Sequence, residues 1–230
     1  MRTPLDALII TDGNREGFQR VIDCTHAEGP QLLFIVGEKG TGKTTLLRAR
    51  QLEKDLLSTK HVTYKPCAQI LDAIHACAFD EDLDALGTTD VLLLDDIEGF
   101  LEDETLGAPT AHCLLKERID RGFTTVITSS KPIAELGEIG ELADDLAKFE
   151  EFTVQPIDDD AMLSLIQSLV DSYADLETAP KLTDEAIAYI ANEMDVNTTM
   201  KAKAIDFLMT QYQGEAGETL SLTAVKQILE

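Results

Sequence analysis

The sequence predicts an α/β protein: a five-stranded parallel sheet covered by helices across residues 1–156, then a small all-helical unit across residues 157–230. Three observations lead there. Short apolar runs bounded by polar or turn residues recur at Leu32–Val36, His61–Tyr64, Val91–Leu94, Thr125–Thr128 and Phe152–Val154, with helical periods between most of them. Such alternation marks parallel strands with helices packed across them. After Pro156 the strand pattern stops and four helical stretches follow. Between the first apolar run and the helical run Thr45–Leu57, the chain reads Gly37-Glu38-Lys39-Gly40-Thr41-Gly42-Lys43-Thr44. This fits the phosphate-loop pattern G-x-x-x-x-G-K-[ST] in the strand-before, helix-after context that the pattern needs.

The loop implies a nucleoside triphosphate ligand. Gly40 and Gly42 leave room for backbone N–H groups to turn toward the phosphates, and the helix that follows adds the positive end of its dipole. Lys43 supplies a cation and Thr44 a Mg²⁺ ligand, so Gly37, Gly40, Thr41, Gly42, Lys43, Thr44 and Thr45 are the candidate nucleotide contacts. A second acidic element must hold the metal and orient water. Val91–Leu94 runs directly into Asp95 and Asp96. Asp95 is then a metal ligand at the carboxyl edge of a buried strand, and Asp96 the group that polarises an attacking water. The fourth run ends in Thr128-Ser129-Ser130 at the same edge. Two readings of Ser130 stand side by side: a catalytic hydroxyl that senses the γ-phosphate or places water, and a strand-end turn closed by Lys131-Pro132.

The remaining segments are read from their periods. Asp80–Asp84 is a solvated acidic loop, and Phe100–Pro109 reads as another loop. Beyond Pro156, Met162, Ile166, Leu169, Val170 and Tyr173 share one helical face, as do Met200, Ala204, Phe207 and Leu208. Leu182 before the cap Thr183 is placed to staple to Ile187, and Leu220 before the cap Ser221 to Val225.

Composition excludes several classes. With 43 acidic residues against 19 basic ones, the 230-residue chain has a formal charge of −24. It repels a phosphate backbone, so strong direct duplex DNA binding is not expected. No apolar run reaches the ~18 residues of a membrane span, and Met1–Leu5 has no signal-peptide core, so the expected location is cytoplasmic with no membrane partner. Cys24, Cys67, Cys77 and Cys113 form no C-x-x-C pair, and neither His75 with Cys77 nor His112 beside Cys113 has metal-site spacing.

Taken together these residues resemble the AAA+ ATPase module of the DnaA replication-initiator family, including its shorter Hda-type relatives. Leu5–Ile10 with Asn14-Arg15-Glu16 looks like that family's leading segment, which packs over the adenine and makes Asn14 a nucleotide contact. Asp95-Asp96-Ile97-Glu98 looks like its second acidic motif, and Thr128-Ser129-Ser130-Lys131-Pro132 like its sensor 1 segment. The resemblance implies ATP or ADP with Mg²⁺ as cofactors, and a core followed by a lid with nothing left for a DNA-binding helix-turn-helix domain. It also implies a replication partner: an initiator, a sliding clamp or a helicase. Hda-type proteins touch the clamp through a glutamine-led N-terminal motif, which Met1–Asp6 lacks; Gln31-Leu32-Leu33-Phe34 looks like one but runs into the first strand.

One departure concerns arginine. The arginines are Arg2, Arg15, Arg20, Arg48, Arg50, Arg118 and Arg121, whereas the family's arginine finger and sensor 2 arginine lie further along. Lys148 stands about where the finger would be, and Thr199 or Lys201 about where sensor 2 would be. Lysine lacks the planar fork that grips a transferring phosphoryl group, so slow or partner-dependent hydrolysis is expected, with a monomer or weak oligomer. Arg118 and Arg121 precede the fourth strand and belong at the sheet's far edge. A nucleotide-holding interaction module without hydrolysis and a DnaC-like helicase loader are the alternatives.

Overall fold

The computed structural model describes residues 8–53, 60–76, 85–103, 105–174, 179–194, 196, 198–212 and 217–229. Asp80–Asp84, Cys77 and the first seven residues, with the expectations attached to them, lie outside those. The chain divides into two compact units, Met1–Pro156 and Ile157–Glu230.

In the first unit the elements run α1 (Arg15–Asp23), β1 (Leu32–Val36), α2 (Lys43–Leu52), β2 (Val62–Pro66), α3 (Cys67–His75), β3 (Val91–Asp95), α4 (Glu98–Leu101), α5 (Gly107–Arg121), β4 (Thr124–Ser129), α6 (Leu142–Leu146) and β5 (Glu150–Thr153). The five strands form one parallel sheet in the order β2-β3-β4-β1-β5. Successive side chains of a strand point to opposite faces, and in β1 they feed two cores. Phe34 and Val36 pack with Leu92, Leu94, Ile127 and helices α3, α5 and α6, whereas Leu33 and Ile35 pack with Leu93, Val126, Phe18, Val21, Leu46 and Leu47 of α1 and α2. A sheet covered on both faces explains why β3 and β4 are buried along their whole length.

Register sets up the site. Val36 pairs with Ser129, Leu94 with Ile127, and Pro66 with Asp95. The phosphate loop, the acidic pair and the end of β4 therefore share one sheet edge. The segment expected to loop from Phe100 to Pro109 is helical at both ends: α4 ends at Leu101 and α5 begins at Gly107. Phe100 is wholly buried in the core, and Pro109 sits in the first turn of α5, where its missing N–H has no helical partner to lose.

At the opposite edge Arg118 is fully buried. Its guanidinium donates to Leu86 O, Thr89 O, Thr124 O and Thr125 Oγ1 at 2.6–3.0 Å, tying the starts of β3 and β4 together. Burial brings its pKa down to about 10, opposed by Asp90 and Glu117, so it stays charged at neutral pH.

The second unit contains α7 (Asp159–Ser172), β6 (Lys181–Leu182), α8 (Asp184–Ala188) continuing into a π-turn, α9 (Thr198–Gln211), β7 (Thr219–Leu220) and α10 (Leu222–Leu229). It is not entirely helical: Leu182 pairs with Leu220 in a short parallel ladder. The two residues read as staples before Thr183 and Ser221 are thus also strand partners. Both caps are present, with Thr183 Oγ1 accepting from Ala186 N and Ser221 Oγ from Ala224 N. The face expected for α9 is rotated. Lys201, Ile205, Leu208 and Met209 are buried, while Met200 and Phe207 are 48% and 47% exposed. The apolar stem of Lys201 occupies a core position, and a pattern of apolar letters overlooks it.

Candidate nucleotide site

The loop after β1 is shaped by its glycines. Gly40 and Gly42 have φ of 94° and 92°, left-handed values that side chains with a Cβ rarely adopt. A Cβ on Gly37 would stand 2.7 Å from Val154 O and 2.9 Å from Thr41 Oγ1. Gly37 N donates to Ser129 O, which fixes the loop's root to the end of β4. Lys43 folds back so that Nζ donates to Gly37 O at 2.5 Å and Glu38 O at 2.9 Å. Burial lowers the pKa of its ammonium, and the carboxylates of Glu98, Asp96 and Asp95 oppose that shift. Thr44 and Thr45 are exposed on the first turn of α2.

Beside the loop, Asp95 is 6% exposed and held by two hydroxyls. Tyr64 Oη donates to its Oδ2 at 2.8 Å and Thr128 Oγ1 to its Oδ1 at 2.7 Å. Thr128 Oγ1 also accepts from Asp96 N at 2.9 Å, and Asp96 has a φ of 61°, the only positive value for a non-glycine among the described residues. That backbone turn is uncommon and marks a site where surrounding structure dictates geometry.

Glu98 forms a second hub. Its Oε1 accepts from Ser130 N at 2.7 Å and Ser130 Oγ at 2.6 Å, and lies 2.9 Å from Ser129 Oγ. Its Oε2 is buried and meets no N–H or hydroxyl donor, which leaves the neighbouring Asp96 carboxyl as the group it can share a proton with. Burial pushes Asp96 up to about 6, helped by a hydrogen bond to Glu98 and by the negative charges of Glu98 and Asp95. For Glu98 burial also acts upward, but bonds from Asp96 and Ser130 outweigh it and bring the group down to about 2. Between about pH 2 and pH 6 the pair therefore holds one proton, on Asp96, and above that range both carboxyls are ionised.

Of the residues expected from sequence, the structure brings Gly37–Thr45, Asp95, Asp96 and Ser130 to one edge. Ser130 follows β4 in a bend bonded to Glu98, so its hydroxyl has a partner already. Asn14 is buried, with Oδ1 accepting from Thr11 N and Nδ2 donating to Ile9 O; its amide folds the leading segment. Lys148 stands apart. Leu33 pairs with Glu150, which puts Lys148 at the amino-terminal edge, where Nζ bonds Asp145 Oδ1 at 2.9 Å. Asp145 in turn lies 2.7 Å from His112 Nδ1. Thr199 and Lys201 lie in α9 of the second unit, and Lys201 Nζ donates to Ala191 O within that unit. Sequence reading missed Tyr64 and the double role of Thr128. A tyrosine inside an apolar strand looks like core, and only the register next to β3 shows its hydroxyl reaching Asp95.

The donor set fits a triphosphate with its cation. Backbone N–H groups and a lysine at a helix start suit phosphate. The buried Asp95 carboxylate and the exposed Thr44 hydroxyl are oxygen ligands of the type Mg²⁺ takes.

Residues 2–149 match the family described as the bacterial DnaA ATPase domain. Domain III of the Thermotoga maritima replication initiation protein DnaA superposes with a TM-score of 0.80 at 21% identity, covering 98% of this chain and 94% of that one. AMPPCP-bound DnaA from Aquifex aeolicus gives 0.72 at 18% identity, with 98% and 68% covered. A DnaC helicase loader gives 0.51 at 20% identity, with 65% and 95% covered. No curated protein sequence matches the chain. The sheet order, the phosphate loop feeding α2 and the helical unit that follows make this an AAA+ module, and the family match over most of the chain means that it belongs to the bacterial DnaA ATPase-domain family.

Proposed function

We propose that the chain binds ATP or ADP with Mg²⁺ and acts, as DnaA/Hda-type proteins do, as a regulator of replication initiation whose hydrolysis is slow or partner-dependent. The observation that carries the reading is the convergence of Lys43, Asp95, Asp96 and Glu98 on one sheet edge. Mg²⁺, when bound, would neutralise charge building on the phosphates. Lys43 would release its loop carbonyls to meet the phosphate oxygens, Thr44 and Asp95 would hold the cation, and Asp96 would accept a proton from water. A carboxyl raised to about 6 suits that last task, because a base works best with a pKa near the working pH.

Slow turnover is supported by the surroundings of Lys148. Lys148 is a point charge already neutralised by Asp145, and it lies on the edge opposite the chain's own phosphate loop. A monomer or weak oligomer is consistent with that and with the −24 charge. A replication protein is the natural partner class for this family, whether initiator, clamp or helicase. The helicase-loader alternative has weaker support, since the DnaC likeness covers 65% of the chain against 98% for DnaA domain III. Single-turnover hydrolysis with and without a cognate initiator tests the reading. Slow intrinsic turnover that rises with the partner is expected, and fast turnover by the isolated chain would overturn it.

A further inference from the structure

We propose that Tyr64 is the positioning residue for the metal-binding carboxylate Asp95, and that Arg48 sets the direction of the Tyr64 hydrogen bond. The inference rests on the nucleotide reading above. A phenol has one proton to give and lone pairs to receive. Arg48 Nε–H lies 3.3 Å from Tyr64 Oη and can only donate, so it fills an acceptor position on that oxygen. The phenolic proton is then directed to Asp95 Oδ2, 2.8 Å away. The Arg48 guanidinium also lies over the Tyr64 ring at 5.5 Å, which holds both side chains in register.

The consequence is a carboxylate fixed from two sides. Thr128 bonds Oδ1 and Tyr64 bonds Oδ2, so Asp95 cannot swing, and the lone pairs left on each oxygen point to a fixed place for a cation or its bound water. Partners of this kind orient first ligands, and losing one typically weakens metal binding by about 10-fold or more. Tyr64 comes from β2, Thr128 from β4 and Asp95 from the strand between them, so three adjacent strands build the clamp.

The test uses a fluorescent ADP analogue bound to the full chain, first in EDTA and then across a Mg²⁺ titration. In Tyr64→Phe, which keeps the ring and removes only the hydroxyl, metal-free affinity should stay within about 2-fold of wild type. The Mg²⁺ concentration for half-maximal enhancement should rise about 10-fold. Arg48→Met should shift the same midpoint in the same direction by less. Because Arg48 acts through Tyr64, the double variant should match Tyr64→Phe alone. An unmoved midpoint in Tyr64→Phe, or shifts that add in the double variant, overturns the inference while leaving nucleotide binding intact. Should Tyr64→Phe fail to fold, Arg48→Met at the surface decides alone, and an unmoved midpoint there overturns the role given to Arg48. Absence of binding by the wild type would overturn the nucleotide reading and this inference with it.

Discussion

Replacing Thr128 by Val tests the geometry of the acidic site through stability. The side chain is wholly buried and the replacement is nearly isosteric, so no cavity opens and the effect is that of the hydroxyl. Two bonds are lost: the donation to Asp95 Oδ1 and the acceptance from Asp96 N. A hydrogen bond to a charged carboxylate contributes about 1.5–3 kcal/mol, and a backbone N–H left without an acceptor costs about 1–3 kcal/mol. Asp96 N is only part-buried, which puts its share at the low end. The sum is about 3 kcal/mol. For a unit of this size, 1 kcal/mol corresponds to roughly 2–4 °C, so Tm should fall by about 6–12 °C. Thr128→Ser keeps the hydroxyl, loses one methyl, and should cost about 1 kcal/mol. Urea unfolding followed by far-UV circular dichroism gives the free energies, with equal m-values as the check that only stability changed. A Val variant within about 0.5 kcal/mol of wild type, or less affected than Ser, would refute the reasoning.

Other outcomes follow from the same structure. Asp96, raised to about 6, binds its proton more tightly folded than unfolded, so its contribution to stability is lost as pH rises through 6. Glu98, lowered to about 2 from 4.5, acts in the opposite sense: its stabilisation is complete above about pH 4.5 and is lost as pH falls toward 2. Between pH 4.5 and pH 6 the nucleotide-free wild type should therefore lose stability relative to Asp96→Asn, and parallel urea midpoints would contradict the assignment. Arg118→Met should destabilise by about 3–5 kcal/mol, because three buried carbonyls and the Thr125 hydroxyl lose a charged donor; a change under about 1 kcal/mol would be inconsistent with its burial. Lys201→Met should lower stability by about 1–2 kcal/mol through the lost bond to Ala191 O. It should leave nucleotide affinity unchanged, and a large affinity loss would mean that the ammonium leaves Ala191 for the ligand.

Much of this architecture can be read from the sequence because local pattern and tertiary role coincide. The run Val91–Leu94 is apolar at every position, as a strand buried on both faces must be, and its acidic end falls where the sheet order needs it. Gly40 and Gly42 are legible because only glycine suits their φ values. The misreadings have physical causes too. Around Phe100 the polar and small residues look like a loop, yet a buried phenylalanine fastens a short helix there. In α9 a lysine stem fills the core and rotates the apolar face away from the one that hydrophobic spacing suggests. Tyr64, Thr128 and Glu98 act through contacts between residues about thirty positions apart, which periodicity within one segment cannot register.

The most direct measurement is calorimetric titration of ADP and ATP with Mg²⁺ into the wild type and into Lys43→Ala. Saturable one-to-one binding by the wild type and its loss in the variant are expected, since Lys43 is the cation that the loop geometry holds ready at its own carbonyls. Equal affinity in both proteins, or a wild type that gives no heat with either nucleotide, would contradict nucleotide binding at this loop.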